Sequence, residues 1–216
     1  MLDETLPLKN DILELKGMNR YRGKKIGFFG DSITADGYYV DKLCKKLKCE
    51  GEIHAKNGAT CANFWSYVNG TDSTYGCSDY SNFDAVLFMI GHNSGAGDET
   101  LESSGIKNID NYEDYPDTFY GYLCKSIEYV IAQNPGIKIY ISGLHYSFKG
   151  DYKNSYETNQ ALKEIADYYN LPFINLIECG INKLNLSYYS TDNIHPNKNG
   201  SGELIAEYLY GQLISR

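Results

Sequence analysis

Short apolar runs alternate with amphipathic segments along this chain of 216 residues, and the alternation limits the folds that the chain can adopt. The apolar runs predict strands over residues 25–29, 52–57, 83–91, 136–143 and 171–176. The amphipathic segments predict helices over residues 36–50, 117–135, 155–170 and 199–215. Strands that alternate with helices in this way predict an α/β fold of three layers, with a five-stranded parallel sheet between two layers of helices.

The length of the chain fits a single domain with one large core. Residues 24–216 are predicted to form that domain, and residues 1–23 to form an extension packed on its outside. The first residues include acidic groups and no long apolar stretch, so they do not resemble a signal peptide. No other stretch is apolar for long enough to cross a membrane. The sequence as given fits a cytoplasmic enzyme, and it fits a secreted enzyme if a signal peptide was removed.

Charge and cysteine spacing argue against two classes of site. The chain has 20 Lys and Arg against 28 Asp and Glu, whereas a nucleic-acid surface needs clustered basic residues, so no nucleic-acid partner is expected. The six cysteines form no Cys-x-x-Cys pair, so zinc-site spacing is absent and free thiols are expected. The 21 tyrosines suit a polar ligand such as carbohydrate, because each ring joins an apolar face to a polar tip. The oligomeric state is not indicated.

Polar or glycine-containing segments follow the predicted strands. In a parallel sheet the carboxyl ends of the strands lie at one edge, where ligands bind. The segments expected at that edge are Gly-Asp-Ser at 30–32, Asn-Gly-Ala-Thr at 57–60, Gly-His-Asn-Ser at 91–94, Gly-Leu-His at 143–145 and the loop that ends at 192–196. Residues 92–115 form one long polar insertion, which is predicted to be functional or mobile and to line a cleft.

Ser32 has two interpretations, as the cap of the helix that follows it or as a nucleophile. A nucleophile needs a base, and His195 follows the last strand at the same edge of the sheet. Asp192 lies three residues before it, and Pro196 stiffens the chain after it. A tight turn would let the Asp192 carboxylate reach Nδ1 of His195 and leave Nε2 free to take the serine proton.

Attack by a serine on an ester also requires donors for the oxyanion. The backbone N–H groups of Ser32 and Gly58 and the side-chain amide of Asn93 are the candidates, since each follows a predicted strand. Taken singly, Gly58 fits a turn and Asn93 fits a loop-capping amide. A metal site is the weakest alternative, because the spacing of its candidate ligands matches no compact zinc motif. Those ligands would be His92, His145, Asp192 and His195.

Four short motifs carry a resemblance to a known family. The segments FFGDSIT, NGAT, IGHNSG and DNIHPNKNG resemble the four blocks of the SGNH hydrolases, also called the GDSL lipase/esterase family, over about residues 24–212. The resemblance implies a flavodoxin-like sandwich, no metal or organic cofactor, and ester hydrolysis through an acyl-enzyme intermediate. It also implies Ser32 as nucleophile and Asp192 and His195 as its partners. Gly58 and Asn93 would complete the oxyanion hole with the N–H of Ser32.

One position departs from the family pattern, because Ser94 stands where the third block usually has Asp. The departure concerns the geometry of that loop and not the Ser32, Asp192 and His195 set. The form with His92 most resembles members that deacetylate plant polysaccharides, and His92 and His145 are weak candidates for substrate contact. The predicted substrate is therefore a small acyl ester, with an acetylated carbohydrate first. A lysophospholipase or acyl-thioesterase is the alternative enzyme, and an inert carbohydrate-binding or scaffold protein is the alternative class.

Overall fold

Five parallel strands form one sheet in a computed structural model, which describes residues 19–147 and 152–215. The strands are β1 Lys25–Gly30, β2 Glu50–Ala55, β3 Ala85–Met89, β4 Lys138–Ser142 and β5 Phe173–Ile174. Their order across the sheet is β2-β1-β3-β4-β5, and every neighbouring pair is parallel. The predicted α/β fold is confirmed. The last strand is shorter than predicted, with two residues in place of the six at 171–176.

Seven α-helices connect and cover the strands within the described residues. They are α1 Ser32–Ala35, α2 Tyr38–Leu47, α3 Cys61–Val68, α4 Phe119–Gln133, α5 Tyr152–Tyr168, α6 Leu186–Tyr189 and α7 Ala206–Ser215. Single turns of 3₁₀-helix occur at Ile106–Asn108, Tyr112–Asp114 and Leu176–Cys179, and a π-helical segment spans Gly200–Ile205. Helix α3 was not predicted. It begins at a capping box, in which Thr60 and Asn63 satisfy each other's backbone N–H groups.

Helices lie on both faces of the sheet, and neighbouring residues of β1 show the separation. Phe29 packs in one cluster of buried side chains together with residues of α3, α4 and α5. Phe28 packs in a second cluster together with residues of α2 and α7. Both rings are fully buried, and each contributes about 1.5–3 kcal/mol of hydrophobic free energy. The sheet is therefore fixed from both sides.

The predicted extension of residues 1–23 falls largely on positions 1–18, which lie outside the described residues. The described part packs on the domain at the amino ends of the strands. The side-chain amide of Asn19 donates to the carbonyl of Leu47 at 2.8 Å, and the hydroxyls of Tyr21 and Tyr140 are hydrogen-bonded.

The polar insertion at 92–115 is attached to the domain by buried side chains. Leu101 and Ile106 are both buried in the same cluster as Phe29. The backbone N–H of Leu101 also donates to the carboxylate of Glu164 on α5 at 3.1 Å. These contacts hold the segment against helix α5, on the face of the sheet that contains Phe29. Among the described helices, none has the length and apolar character needed to cross a bilayer.

Candidate functional site

The turn after β1 presents Ser32 at the carboxyl edge of the sheet. Asp31, not Ser32, is the N-cap of α1, and its Oδ1 accepts a hydrogen bond from the N–H of Ile33 at 3.2 Å. The strand ends at Gly30, where a Cβ would lie 2.4 Å from the carbonyl oxygen of Met89. Only glycine allows so close an approach, and the chain can therefore turn sharply between strand and helix. The capping interpretation of Ser32 is thus not needed to explain the helix.

His195 is the hydrogen-bond partner of the Ser32 side chain. Its Nε2 lies 2.9 Å from Ser32 Oγ, and its Nδ1 lies 2.7 Å from Asp192 Oδ2. A carboxylate only accepts, so Nδ1–H donates to Asp192 and Nε2 is left to accept from the serine hydroxyl. The structure therefore brings together the three residues that the sequence predicts as nucleophile, base and orienting group.

The loop that carries this pair is organised by the Asp192 carboxylate. Its Oδ1 accepts the N–H groups of Ile194 at 2.9 Å and of His195 at 2.7 Å. Burial alone would raise the pKa of Asp192, but these bonds and the His195 ring outweigh it and hold the pKa well below its usual range. Asn193 takes a left-handed conformation at φ +63°, which asparagine tolerates, and Ser190 Oγ donates to the His195 carbonyl at 2.9 Å.

Gly58 and Asn93, the predicted oxyanion donors, are both exposed near this edge. Gly58 has a φ of +75°, in the left-handed region that favours glycine, and its surroundings would leave a Cβ in open space. The amide of Asn93 donates to the carbonyl of Ala59 at 3.1 Å. A primary amide has two hydrogens, and this bond uses one of them.

Ser94 links the loop after β3 to the start of α3. Its Oγ accepts the N–H of Cys61 at 2.9 Å, a group that no residue within the helix can satisfy. Together with the bond from Asn93 to Ala59, this contact joins the third sequence block to the second. The hydroxyl of Ser94 therefore supplies an acceptor at the position where the family usually has a carboxylate.

A second Asp–His pair lies behind Ser32. Asp31 Oδ2 accepts from the Nδ1–H of His92 at 3.0 Å and from the backbone N–H of His92 at 3.3 Å. Burial alone would raise the pKa of Asp31, yet the charge and hydrogen bonds of His92 and the N–H of Ile33 lower it. The side chains of Asp31 and His92 are 0% and 5% exposed.

His145 is also buried, with none of its surface exposed. Its Nε2 lies 2.9 Å from the carbonyl oxygen of Ile194, in the loop of the first Asp–His pair. The predicted contacts of His92 and His145 with substrate therefore have almost no side-chain surface available to them. Nothing in the sequence indicates the bond to Ile194; the position of His145 after a strand is the one signal that places it near the site.

No three His, Cys, Asp or Glu side chains are grouped as metal ligands in the described part of the chain. The six cysteines, all of which lie in that part, are free thiols; Cys44 and Cys49 are half-buried and the others are buried.

Comparison with known proteins adds a family match. The model of the GDSL-like lipase/acylhydrolase family matches residues 28–202. Comparison with curated proteins gives no significant match.

Several solved structures share the fold. The lipase/acylhydrolase from Enterococcus faecalis has 17% sequence identity and a TM-score of 0.63, with 89% of this chain and 96% of that chain covered. A protein from Lactobacillus plantarum has 20% identity and a TM-score of 0.66, with 90% and 98% covered. A member of the lipolytic protein G-D-S-L family from Veillonella parvula has 17% identity and a TM-score of 0.58, with 87% and 96% covered. At these identities the likeness concerns the fold alone.

Proposed function

Because this chain belongs to the GDSL-like lipase/acylhydrolase family, we propose that it is a serine esterase with Ser32 as its nucleophile. The observation that carries the proposal is the unbroken line of hydrogen bonds from Ser32 through His195 to Asp192, at 2.9 Å and 2.7 Å. Ser32 and His195 are 163 positions apart in sequence; Ser32 begins helix α1, and His195 lies in the loop after α6. A line of this kind is the arrangement that activates a serine hydroxyl.

The reaction proceeds in two halves. Ser32 Oγ attacks the acyl carbonyl while His195 Nε2 takes the hydroxyl proton, and the tetrahedral intermediate forms. His195 then gives that proton to the leaving alcohol, and the acyl group stays on Ser32. Water repeats the sequence against the acyl-enzyme, releasing the acid and restoring the serine. Asp192 holds the imidazole in the required tautomer, and its lowered pKa keeps it ionised at neutral pH.

The oxyanion is bound by the N–H groups of Ser32 and Gly58 and by the amide of Asn93. The geometry around them supports this role. The exposed left-handed turn at Gly58 has no side chain to exclude an approaching substrate, and the bond from Asn93 to Ala59 fixes the plane of the amide. Loss of one such donor lowers kcat by roughly 100- to 1,000-fold.

The proposed substrate is a small acyl ester, with an acetylated carbohydrate as the first candidate. Support comes from the polar composition of the insertion at 92–115 and from the 21 tyrosines of the chain. Two polar residues of the proposed site, Asn93 and Asp192, are exposed. A lysophospholipase or acyl-thioesterase needs an apolar channel for a long chain, and chain-length preference separates it from the deacetylase. An inert binding protein has no need of the hydrogen-bonded line at Ser32.

The test is hydrolysis of p-nitrophenyl esters from acetate to laurate by the wild type, Ser32→Ala and Ser81→Ala. Ser81 is an exposed serine before β3, at the opposite edge of the sheet, and serves as the matched control. We expect activity on the shortest esters, a loss of about 1,000-fold or more in Ser32→Ala, and no change in Ser81→Ala. A rate of hydrolysis that is highest for long-chain esters would indicate a lipid or acyl-thioester substrate instead. Equal rates in wild type and Ser32→Ala would contradict the nucleophile, and no turnover in any protein would favour the binding protein.

A further inference from the structure

Two buried histidines lie next to the proposed catalytic residues, and the hydrolytic steps use neither. His92 follows β3 and His145 follows β4, and their ring centroids are 5.1 Å apart with the planes inclined at 40°. Burial leaves them almost no surface for a substrate. Their function is therefore to be found in the protein groups that they contact.

His145 holds the loop that carries the proposed base. Its Nε2 lies 2.9 Å from the carbonyl oxygen of Ile194, the residue before His195. A carbonyl oxygen only accepts, so the ring proton is on Nε2 and His145 donates. Ile194 in turn donates its N–H to Asp192 Oδ1 at 2.9 Å. The peptide groups of Ile194 are thus fixed both by the core and by the carboxylate.

His145 is neutral at neutral pH, and its ring therefore has one N–H group to donate. Burial in the first place, and the neighbouring His92 in the second, lower the pKa of His145 to about 3, so the ring is neutral at neutral pH. Its Nδ1 is buried and has no hydrogen-bond partner among the described residues. An unpaired buried nitrogen carries a free-energy cost that an apolar side chain would avoid. The bond from the other nitrogen is the feature that explains a histidine here.

His92 connects this contact to the nucleophile. The ring of His92 packs against His145, and its Nδ1 and backbone N–H both donate to Asp31, the residue before Ser32. A buried column of contacts therefore runs from the residue before the nucleophile to the residue before the base. These two residues belong to loops that are distant in sequence, and the column fixes one loop relative to the other.

We propose that His145 is a positioning residue for ester hydrolysis, which holds the Ile194 carbonyl so that His195 stays within hydrogen-bond distance of Ser32. The inference rests on the proposed function, because it assigns His145 a part in the same reaction. His145 touches no reacting atom. It acts through the backbone of the loop, and its loss should displace His195 without removing it.

Two amide substitutions separate the donor from the rest of the side chain. In His145→Gln the amide nitrogen occupies the place of Nε2 and can reach Ile194, whereas in His145→Asn it occupies the place of Nδ1 and cannot. Both variants are polar and uncharged. We expect His145→Asn to lower kcat by about 100-fold with little change in KM, and His145→Gln to keep kcat within about tenfold of wild type.

A spectroscopic measurement complements the kinetics and needs no substrate. The Nδ1 proton of His195 in its bond to Asp192 should give a far-downfield signal in the proton NMR spectrum, assigned by its absence in His195→Gln. The signal should persist in His145→Gln and weaken or vanish in His145→Asn. A folded His145→Asn with wild-type kcat and an unchanged signal would overturn the proposal.

A folded His145→Gln that loses kcat and the signal would overturn it as well, and this variant alone decides the matter if His145→Asn does not fold. Failure of the proposed function has a different outcome. If wild type hydrolyses no ester, or Ser32→Ala matches it, the esterase assignment fails, and the NMR comparison still tests whether His145 positions the loop.

Discussion

Two Asp–His pairs lie at the same edge of the sheet, and they differ in exposure and in partner. The pair formed by Asp192 and His195 has side chains that are 43% and 39% exposed, and its imidazole reaches Ser32 Oγ. The pair formed by Asp31 and His92 has side chains that are 0% and 5% exposed, and its carboxylate accepts backbone N–H groups from Ile33, next to Ser32, and from His92 itself. The sequence around Ser32 contains one of these carboxylates, yet the serine is hydrogen-bonded to the distant pair.

The difference in exposure corresponds to two different functions of an Asp–His pair. A base that takes and returns protons needs access to substrate and water, and a half-exposed loop provides that access. A buried carboxylate with three donors around it is a rigid support, because breaking any of its bonds leaves a polar group unsatisfied. We therefore assign proton transfer to the exposed pair and the geometry of the turn to the buried pair. Loss of the Asp192 carboxylate should then lower mainly the rate, and loss of the Asp31 carboxylate should lower mainly the stability.

The largest effect is expected from Asp192→Asn. The amide oxygen can still accept the N–H groups of Ile194 and His195, so the loop should keep its shape, but the imidazole loses the partner that fixes its tautomer. We expect kcat to fall about 10,000-fold with the melting temperature within a few degrees of wild type. Ester hydrolysis and thermal unfolding measured on the same preparation check this. A large loss of stability would show that the carboxylate supports the fold instead.

Asp31→Asn should show the reverse pattern. The NH₂ group of the new amide would face the two N–H groups of His92 that the carboxylate now accepts. Donors would then face donors in a buried site and remain unpaired. We expect a loss of about 1–3 kcal/mol in unfolding free energy, or roughly 2–4 °C in melting temperature for each kcal/mol, and a fall in kcat of at most about 100-fold, far smaller than that of Asp192→Asn. Chemical denaturation and kinetics give both quantities. A fall in kcat as large as that of Asp192→Asn, at unchanged stability, would erase the distinction between the pairs.

The stability of the fold should also depend on pH through buried His145, which faces His92, Asp31 and His195. Its pKa is about 3 in the folded chain and near 6.5 when unfolded, so the unfolded state binds more protons between these values. Stability from this source is complete above pH 6.5 and is lost as pH falls. The advantage of wild type over His145→Gln should shrink by about 2 kcal/mol between pH 7.5 and pH 5. Groups common to both proteins, such as His54, cancel in the difference. A constant difference would show that His145 is protonated in the fold.

Ser94 should give the smallest effect, because it lies at the rim of the site. Ser94→Ala removes the acceptor for the N–H of Cys61 and should cost about 1 kcal/mol of stability, as the loss of a helix cap does. Ser94→Asp restores an acceptor of the type that the family usually has and should recover that free energy. Denaturation of the three proteins tests this. If Ser94→Asp were less stable than Ser94→Ala, the capping explanation would be wrong.

Much of the fold and the proposed site follows from local sequence pattern. Strand β3 and the glycine-ended β1 are continuous apolar runs, and a parallel sheet places the residues after them at one edge. Helix α3 was not predicted because it has only eight residues, three of them aromatic, and because its start depends on a capping box. Strand β5 keeps only two paired residues, which an apolar pattern does not resolve.

Two contacts between distant segments left no signal in the sequence. The bond from His145 to Ile194 joins positions 49 apart, and the bond from Ser94 to Cys61 joins positions 33 apart. Neither contact leaves a periodic pattern in the chain. The motif at 91–94 indicated His92 as a substrate contact, but the His92 side chain is buried, because Asp31 of the first motif accepts a hydrogen bond from it.

The most direct test of the central claim is the rate at which a fluorophosphonate probe modifies Ser32, since that rate reports activation of the serine without any assumption about substrate. His195→Gln removes the base of the exposed pair, and His92→Asn is the matched change in the buried pair, where the amide can still donate to Asp31. We expect His195→Gln to lose labelling almost completely and folded His92→Asn to be labelled within about tenfold of the wild-type rate. Labelling of His195→Gln at the wild-type rate, or its loss in folded His92→Asn alone, would contradict the account.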